Sequence, residues 1–167
     1  MLTTDPSAES PPLTADRFRS AMASVCTPVS VVTAFDGERP HGTTVSAFAS
    51  LSLTPPMVLV ALDLASDLLR IVQRTQRFGL NVLSAEQSDL AMTFARKGPD
   101  KFSGARWSTD HGLPRLDGAA VWLACTVDQL VQGGDHIVAM GTVVSADHRE
   151  ISPLTYHKRL FGTHAAL

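Results

Sequence analysis

His41-Gly42-Thr43-Thr44-Val45-Ser46-Ala47-Phe48-Ala49-Ser50-Leu51-Ser52-Leu53-Thr54-Pro55-Pro56-Met57-Val58 is the stretch on which the fold turns. Positions 45, 47, 49, 51 and 53 are apolar, whereas 44, 46, 50 and 52 carry hydroxyls and only Phe48 breaks the rhythm. A period of two is that of a strand with one face in a core, so the pattern predicts a strand from His41 to about Leu53. Neither Pro55 nor Pro56 can donate a ladder hydrogen bond, so the strand must end there. Met57 to Leu62 then reads as a strand buried on both faces.

Working outward, Val29 to Phe35 is β-branched and ends at Asp36-Gly37, a turn signal that makes it a hairpin partner of the 41–53 strand. Thr14 caps an expected helix from Ala15 to about Val25, with Phe18, Ala21, Met22 and Val25 on a face that should pack on a sheet. Downstream, the sequence predicts a helix from Ser66 to Arg74, a strand from Phe78 to Leu83 and a helix from Ala85 to Ala95 opened by a capping box at Ser84 and Gln87. Lys97 to Pro114 reads as an irregular loop, and such long loops often carry function. Two long strands, Ala119 to Leu130 and His136 to Asp147, meet around Gly133-Gly134, and a short helix is expected over Pro153 to Leu160. Hairpin following hairpin gives a mainly β fold with inserted helices, and favours a closed antiparallel barrel over a parallel sheet.

The chain has 167 residues, 44% of them hydrophobic, which fits one domain and is too apolar for disorder. Residues 1–13, rich in Ser, Thr and Pro, are expected to be a disordered tail, with a single domain over residues 14–167. A net charge of −2 without a basic stripe argues against nucleic acid. The charge-free stretch from Pro40 to Leu62 is too rich in Ser, Thr and Pro to cross a membrane, and the N-terminus lacks a secretory leader's basic head, so a cytoplasmic address is expected. Cys26 and Cys125 are far apart without metal-ligand spacing and read as small buried hydrophobes.

No GxGxxG, phosphate-binding lysine loop, GxSxG or HExxH occurs, which removes the dinucleotide-binding fingerprint, Ser-nucleophile hydrolysis and zinc hydrolysis. His111, His136 and His148 each follow an aspartate, but neighbours on a strand face opposite ways, so adjacency alone does not make an Asp-oriented histidine. The hydroxyls of Thr44, Ser46 and Ser50 are the best candidate site, suited to a planar polar heterocycle, although a solvent-facing row of hydroxyls would look the same. On the residues alone the function stays open.

The 41–58 run resembles the signature of the flavin reductase-like family, the short-chain reductase components of two-component flavin monooxygenases. Phe78-Gly79-Leu80-Asn81-Val82-Leu83 with Gln87, Lys101-Phe102, Gly134-Asp135-His136 and Pro153-Leu154-Thr155-Tyr156-His157 agree with that family in the same order. The resemblance implies an antiparallel split β-barrel, a homodimer, and non-covalent FAD or FMN reduced by NADH rather than NADPH. The reduced flavin would then leave for a separate flavin-dependent monooxygenase. It implies that Thr43, Thr44, Val45 and Ser46 line the flavin ring, with Ser50 nearby, Asp63 to Ser66 toward the ribityl and phosphate, and Asn81, Leu83 and Gln87 flanking. Lys101 and Phe102 would approach the flavin tail. His136 would sit by the nicotinamide with Tyr156, without acting as a nucleophile. The competing readings are a split-barrel oxidase with its own substrate and a non-enzymatic flavin or haem carrier.

Overall fold

Five consecutive buried residues, Ser30 to Ala34, show how the centre of the fold is built. Val32 and Ala34 enter one hydrophobic core, while Val31 joins Val29 in a second core on the other side of the same strand. The computed structural model describes residues 12–98 and 100–166, so most of the expected tail lies outside the described residues. In chain order the elements are α1 (Ala15–Ala23), β1 (Thr27–Pro28), β2 (Ser30–Asp36), β3 (Arg39–Val45), β4 (Phe48–Leu53), β5 (Pro56–Asp63), α2 (Asp67–Thr75) and β6 (Arg77–Val82). These are followed by α3 (Ser88–Ala95), β7 (Trp107–Asp110), β8 (Leu113–Leu116), β9 (Val121–Gly133), β10 (His136–His148), β11 (Leu154–His157) and β12 (Leu160–Thr163).

Seven strands form one antiparallel sheet in the order β3-β2-β6-β9-β10-β5-β4. Its two edge strands are consecutive in the chain, with only Ser46 and Ala47 between them, so the sheet has to curl until its edges come together. The Ala47 carbonyl accepts the Ala61 amide at 2.9 Å and fixes that junction. The result is the expected antiparallel split barrel, with its seam between β3 and β4. Phe78, Leu80, Leu62, Val60 and Cys125 fill its interior, with α2 contributing Leu68, Leu69, Ile71 and Val72. The second core, under α3 and the β7–β8 hairpin, holds Phe94, Phe102, Leu116 and Leu83.

Several local expectations are corrected. The 41–53 strand is two strands, because the chain changes partner from β2 to β5 at Ser46-Ala47, where no Gly or Pro advertises the break. The apolar face expected to continue past Val45 is therefore outside the core: Ala47, Ala49 and Leu51 are exposed, and Leu53 is 90% exposed. Helix α1 buries no residue, with Phe18 57% exposed, so it does not pack on the sheet. Helix α3 begins at Ser88 rather than Ala85; the Gln87 side chain accepts the Ser84 amide at 3.0 Å, half of the capping box, but ahead of the helix. Residues 153–160 are not helical, because β11 pairs with β1 and turns through Lys158-Arg159 into β12. The 97–114 loop contains β7. Cys125 is buried, its thiol pushed up to about 12 by desolvation, whereas Cys26 is exposed.

Candidate functional site

Three pieces of chain distant in sequence converge on a cleft of about 650 Å³. The first is β3, which lines it with Arg39, Pro40, His41, Gly42 and Thr43. The second is the turn from β5 into α2, held by the Asp63 carboxylate accepting the Ala65 amide at 2.7 Å and the Asp63 carbonyl accepting the Ser66 amide at 2.9 Å. That turn aims the N-terminus of α2 at the cleft, where the Ser66 hydroxyl caps no helix amide. Orphan amides and a helix dipole make such an end a seat for anions. The third is the C-terminal end of α3 and the loop after it, supplying Arg96, Lys97, Lys101 and Phe102.

The cleft lining carries four cationic side chains, Arg39, Arg96, Lys97 and Lys101, against two carboxylates, Asp63 and Asp67. Asp67 is paired with Arg70. Lys101 donates to the carbonyls of Gly42 at 3.1 Å and Phe94 at 3.0 Å, and desolvation lowers its pKa below the usual lysine value. Phe102 stands edge-on to Phe94 at 4.9 Å and to Trp107 at 5.5 Å, which anchors the loop in the second core.

Burial, and then the nearby Arg39 charge, hold the His41 pKa below its usual value. The unfolded chain therefore binds more protons at this position, and the stability His41 contributes is present above about pH 6.5 and declines as pH falls toward its folded pKa. His41→Gln is expected to flatten part of the loss of urea resistance between pH 7.5 and pH 5. An identical pH slope in the variant would show that His41 carries none of it.

Of the residues singled out from sequence, Thr43, Asp63, Ser66, Lys101 and Phe102 lie together in this cleft. The Thr44 hydroxyl is committed to the Ala91 carbonyl at 2.6 Å, Val45 is in the barrel core, and Ser46 and Ser50 are exposed at and beyond the seam. Asn81 and Leu83 are fully buried in the scaffold, and Gln87 bridges Ser84 and Asp117. Tyr156 lies on β11 against Phe161, in a different sheet.

His136 opens β10 opposite Asp63 of β5, next to a residue of the cleft but not itself among those lining it. Its Nδ1 lies 2.7 Å from the Asp135 carboxylate, so this adjacent pair does interact, contrary to the strand argument. The reason is that Asp135 belongs to the hairpin turn and escapes strand alternation. The bond from His136 holds the Asp135 carboxyl below the usual range.

The cleft residues not singled out from sequence are Arg39, His41, Gly42 and Arg96, whereas Lys97 opens the 97–114 loop that the sequence marked as a candidate for function. Arg39 and His41 share a strand face with Thr43, but nothing in the letters says that this face borders a cleft; Arg96 had no signal, since its approach to β3 is purely tertiary. Among the described residues no metal-binding cluster occurs and no helix is long and apolar enough to cross a membrane.

Residues 22–165 match the flavin reductase like domain. The chain is 41% identical over 148 residues to the actinorhodin polyketide dimerase of Streptomyces coelicolor, spanning 87% of this chain and 84% of that protein. It is 38% identical over 152 residues to the reductase component of a 4-nitrophenol 4-monooxygenase/4-nitrocatechol 2-monooxygenase of Rhodococcus opacus, spanning 90% and 82%. Among solved structures, the NADH:FAD oxidoreductase of Streptomyces globisporus, in complex with NAD and FAD fragments, superposes with a TM-score of 0.86 at 28% identity over 99% of this chain and 98% of that one. The styrene monooxygenase flavin reductase of Pseudomonas putida gives 0.83 at 30% identity over 90% and 98%. A match that runs from α1 to beyond β12, with relatives at these identities, places the chain in the flavin reductase-like family, as an oxidoreductase that works with flavin and a nicotinamide nucleotide.

Proposed function

We propose that this chain is the reductase of a two-component system, taking FAD in preference to FMN, using NADH, and releasing reduced flavin to a separate monooxygenase. The observation that carries this reading is the set of cations on two facing walls of the cleft, Arg39 on β3 and Arg96 and Lys97 beyond α3, beside the N-terminus of α2. A pyrophosphate with an adenosine beyond it uses both walls, whereas a monophosphate needs only the helix end.

The residues present fit a flavin nucleotide. The edge of β3 from Gly42 to Val45 presents backbone groups not taken by a further strand, suited to the polar rim of the ring, with Thr43 beside it and Ser46 and Ser50 at the seam. Ser66 and the α2 amides suit the phosphate. His136, oriented by Asp135, borders the place where a nicotinamide would lie. When bound, flavin and nicotinamide supply the hydride chemistry themselves, so the protein's part is to stack them and exclude water rather than to provide a nucleophile. Accordingly, His136→Ala should slow turnover several-fold without abolishing it; loss of all catalysis would require a chemical role for the imidazole.

Leu51 and Leu53 on edge strand β4, and Phe18 and Met22 on α1, are exposed apolar residues that a second copy of the chain would cover, so we infer a homodimer. The nicotinamide pool and the two free thiols suit the cytoplasm.

The deciding experiment follows NADH absorbance under air, with protein alone and then with FAD, FMN or riboflavin. Turnover only when flavin is added, with FAD the best acceptor, is the expected result. Flavin binding without NADH oxidation would instead indicate a carrier, and firmly retained flavin that awaits an organic substrate would indicate an oxidase.

A further inference from the structure

We infer that Lys101 is a positioning residue that sets the width of the cleft by tying edge strand β3 to the end of α3, rather than a direct ligand of the flavin phosphate. The inference rests on reading this cleft as the flavin site. The geometry is specific. One ammonium donates to a carbonyl on each wall, Gly42 of β3 and Phe94 in the last turn of α3. The Phe94 carbonyl is among the four at a helix end that have no intrahelical donor, and a cation there also opposes the helix dipole. The Gly42 carbonyl belongs to a strand that, among the described residues, has no strand neighbour on its outer side. Lys101 thus satisfies two groups that neither element can satisfy alone.

Two further contacts make this a joint rather than an isolated bond. Thr44, two residues along β3, donates its hydroxyl to Ala91 of α3 at 2.6 Å. Between these ties the Phe94 ring lies directly over Gly42, where a Cβ would come within 2.8 Å of it. The residue after Lys101 is Phe102, wedged between Phe94 and Trp107, so the backbone that carries the ammonium cannot drift away. Arg96 and Lys97 leave α3 between these anchors. Their distance from Arg39 and His41 across the cleft is therefore fixed by the joint.

Two of the ammonium's three protons are already used inside the protein, and burial disfavours its charge. A group meant to bind a phosphate in exchange for water would be left exposed and unengaged, as Arg96 and Lys97 are exposed. Lys101 instead acts on the flavin through the backbone it holds. Its loss should weaken every ligand that touches β3, including one without a phosphate.

The test compares equilibrium dissociation constants of FAD and riboflavin, read from the quenching of flavin fluorescence, for the wild type, Lys101→Met and a double variant Arg96→Glu/Lys97→Glu. Thermal melting of the ligand-free proteins is recorded alongside. Lys101→Met is expected to weaken riboflavin about tenfold and FAD at least as much, as the loss of two hydrogen bonds from a charged donor implies. Lys101→Arg, which keeps charge and several donors, should recover part of the loss for both ligands. The double variant should weaken FAD and leave riboflavin unchanged. If Lys101→Met weakens FAD but not riboflavin, Lys101 is a phosphate ligand and the inference falls. If the double variant weakens FAD while Lys101→Met moves neither ligand, the cleft reading stands and the role of Lys101 falls. If no variant moves FAD, the cleft is not the flavin site and both fall. Should Lys101→Met not fold, Lys101→Gln, which retains a shorter neutral donor, takes its place with the same expected pattern.

Discussion

Asn81→Ala is expected to cost about 3 kcal/mol of stability and about 10 °C in Tm. Asn81 is fully buried on β6, and its side chain makes three hydrogen bonds to three different places. Its amide donates to the Val31 carbonyl at 3.1 Å and to the Thr33 hydroxyl at 3.3 Å, and its oxygen accepts the Leu116 amide at 2.8 Å. Thr33 in turn donates to the Pro114 carbonyl at 2.6 Å. One side chain therefore joins β2, β6 and β8, and pins the β7–β8 hairpin onto the outside of the barrel. Truncation leaves the Leu116 amide and the Thr33 hydroxyl with fewer partners in a place water does not reach, and unsatisfied buried groups cost more than a lost bond gains. Asn81→Asp should be as damaging, because it keeps the acceptor for Leu116 but turns an oxygen toward the Val31 carbonyl. Urea and thermal unfolding measure this directly. Flavin affinity of the folded fraction is expected to stay near the wild-type value. A weakened affinity with an unchanged Tm would place Asn81 at the flavin instead of in the scaffold.

That contrast marks what the sequence could and could not reveal. Strands β2, β5, β6, β9 and β10 were legible because β-branched runs and turn residues bound them, and they make up the body of the barrel. The break at Ser46-Ala47 was not, since alternation continues through it in the letters while the chain changes strand partner in space. Likewise Phe18, Met22 and Val25 have true helical spacing, but spacing says only that a face is apolar, not that this chain covers it. Residues 153–160 look like a helix locally and become β11 and β12 because β1 offers an edge 129 residues away, between Thr27 and Tyr156. At the site, Thr43, Ser66 and Lys101 came from likeness to a family. The loop opened by Lys97 was marked by its length alone, whereas Arg39, His41 and Arg96 needed the fold, because what makes them a set is the meeting of β3 with the end of α3.

Gly42→Ala should lower stability by about 2 kcal/mol, about 6 °C in Tm, and weaken flavin binding about tenfold as well. A Cβ on Gly42 would lie 2.8 and 2.9 Å from two carbons of the Phe94 ring and 3.2 Å from a Val31 methyl. The ring has nowhere to retreat, being fully buried and edge-on to Phe102, which is itself edge-on to Trp107. The strain has to be relieved by moving α3 away from β3. That movement pulls the Phe94 carbonyl from the Gly42 carbonyl and stretches the pair of bonds from Lys101 that spans them. The same methyl group thus disturbs the packing under the cleft and the width of the cleft above it, which is why stability and affinity should fall together. Gly104→Ala is the matched control: it lies in the same loop region as Lys101, a Cβ there meets nothing within 4 Å, and the substitution should leave Tm and affinity within error or raise Tm slightly. Calorimetry and fluorescence titration of the two variants decide the matter. If Gly42→Ala melts with the wild type, the Phe94 ring yields freely and the two walls are not rigidly joined. If it melts early yet binds flavin normally, the joint is structural and the flavin does not sense it.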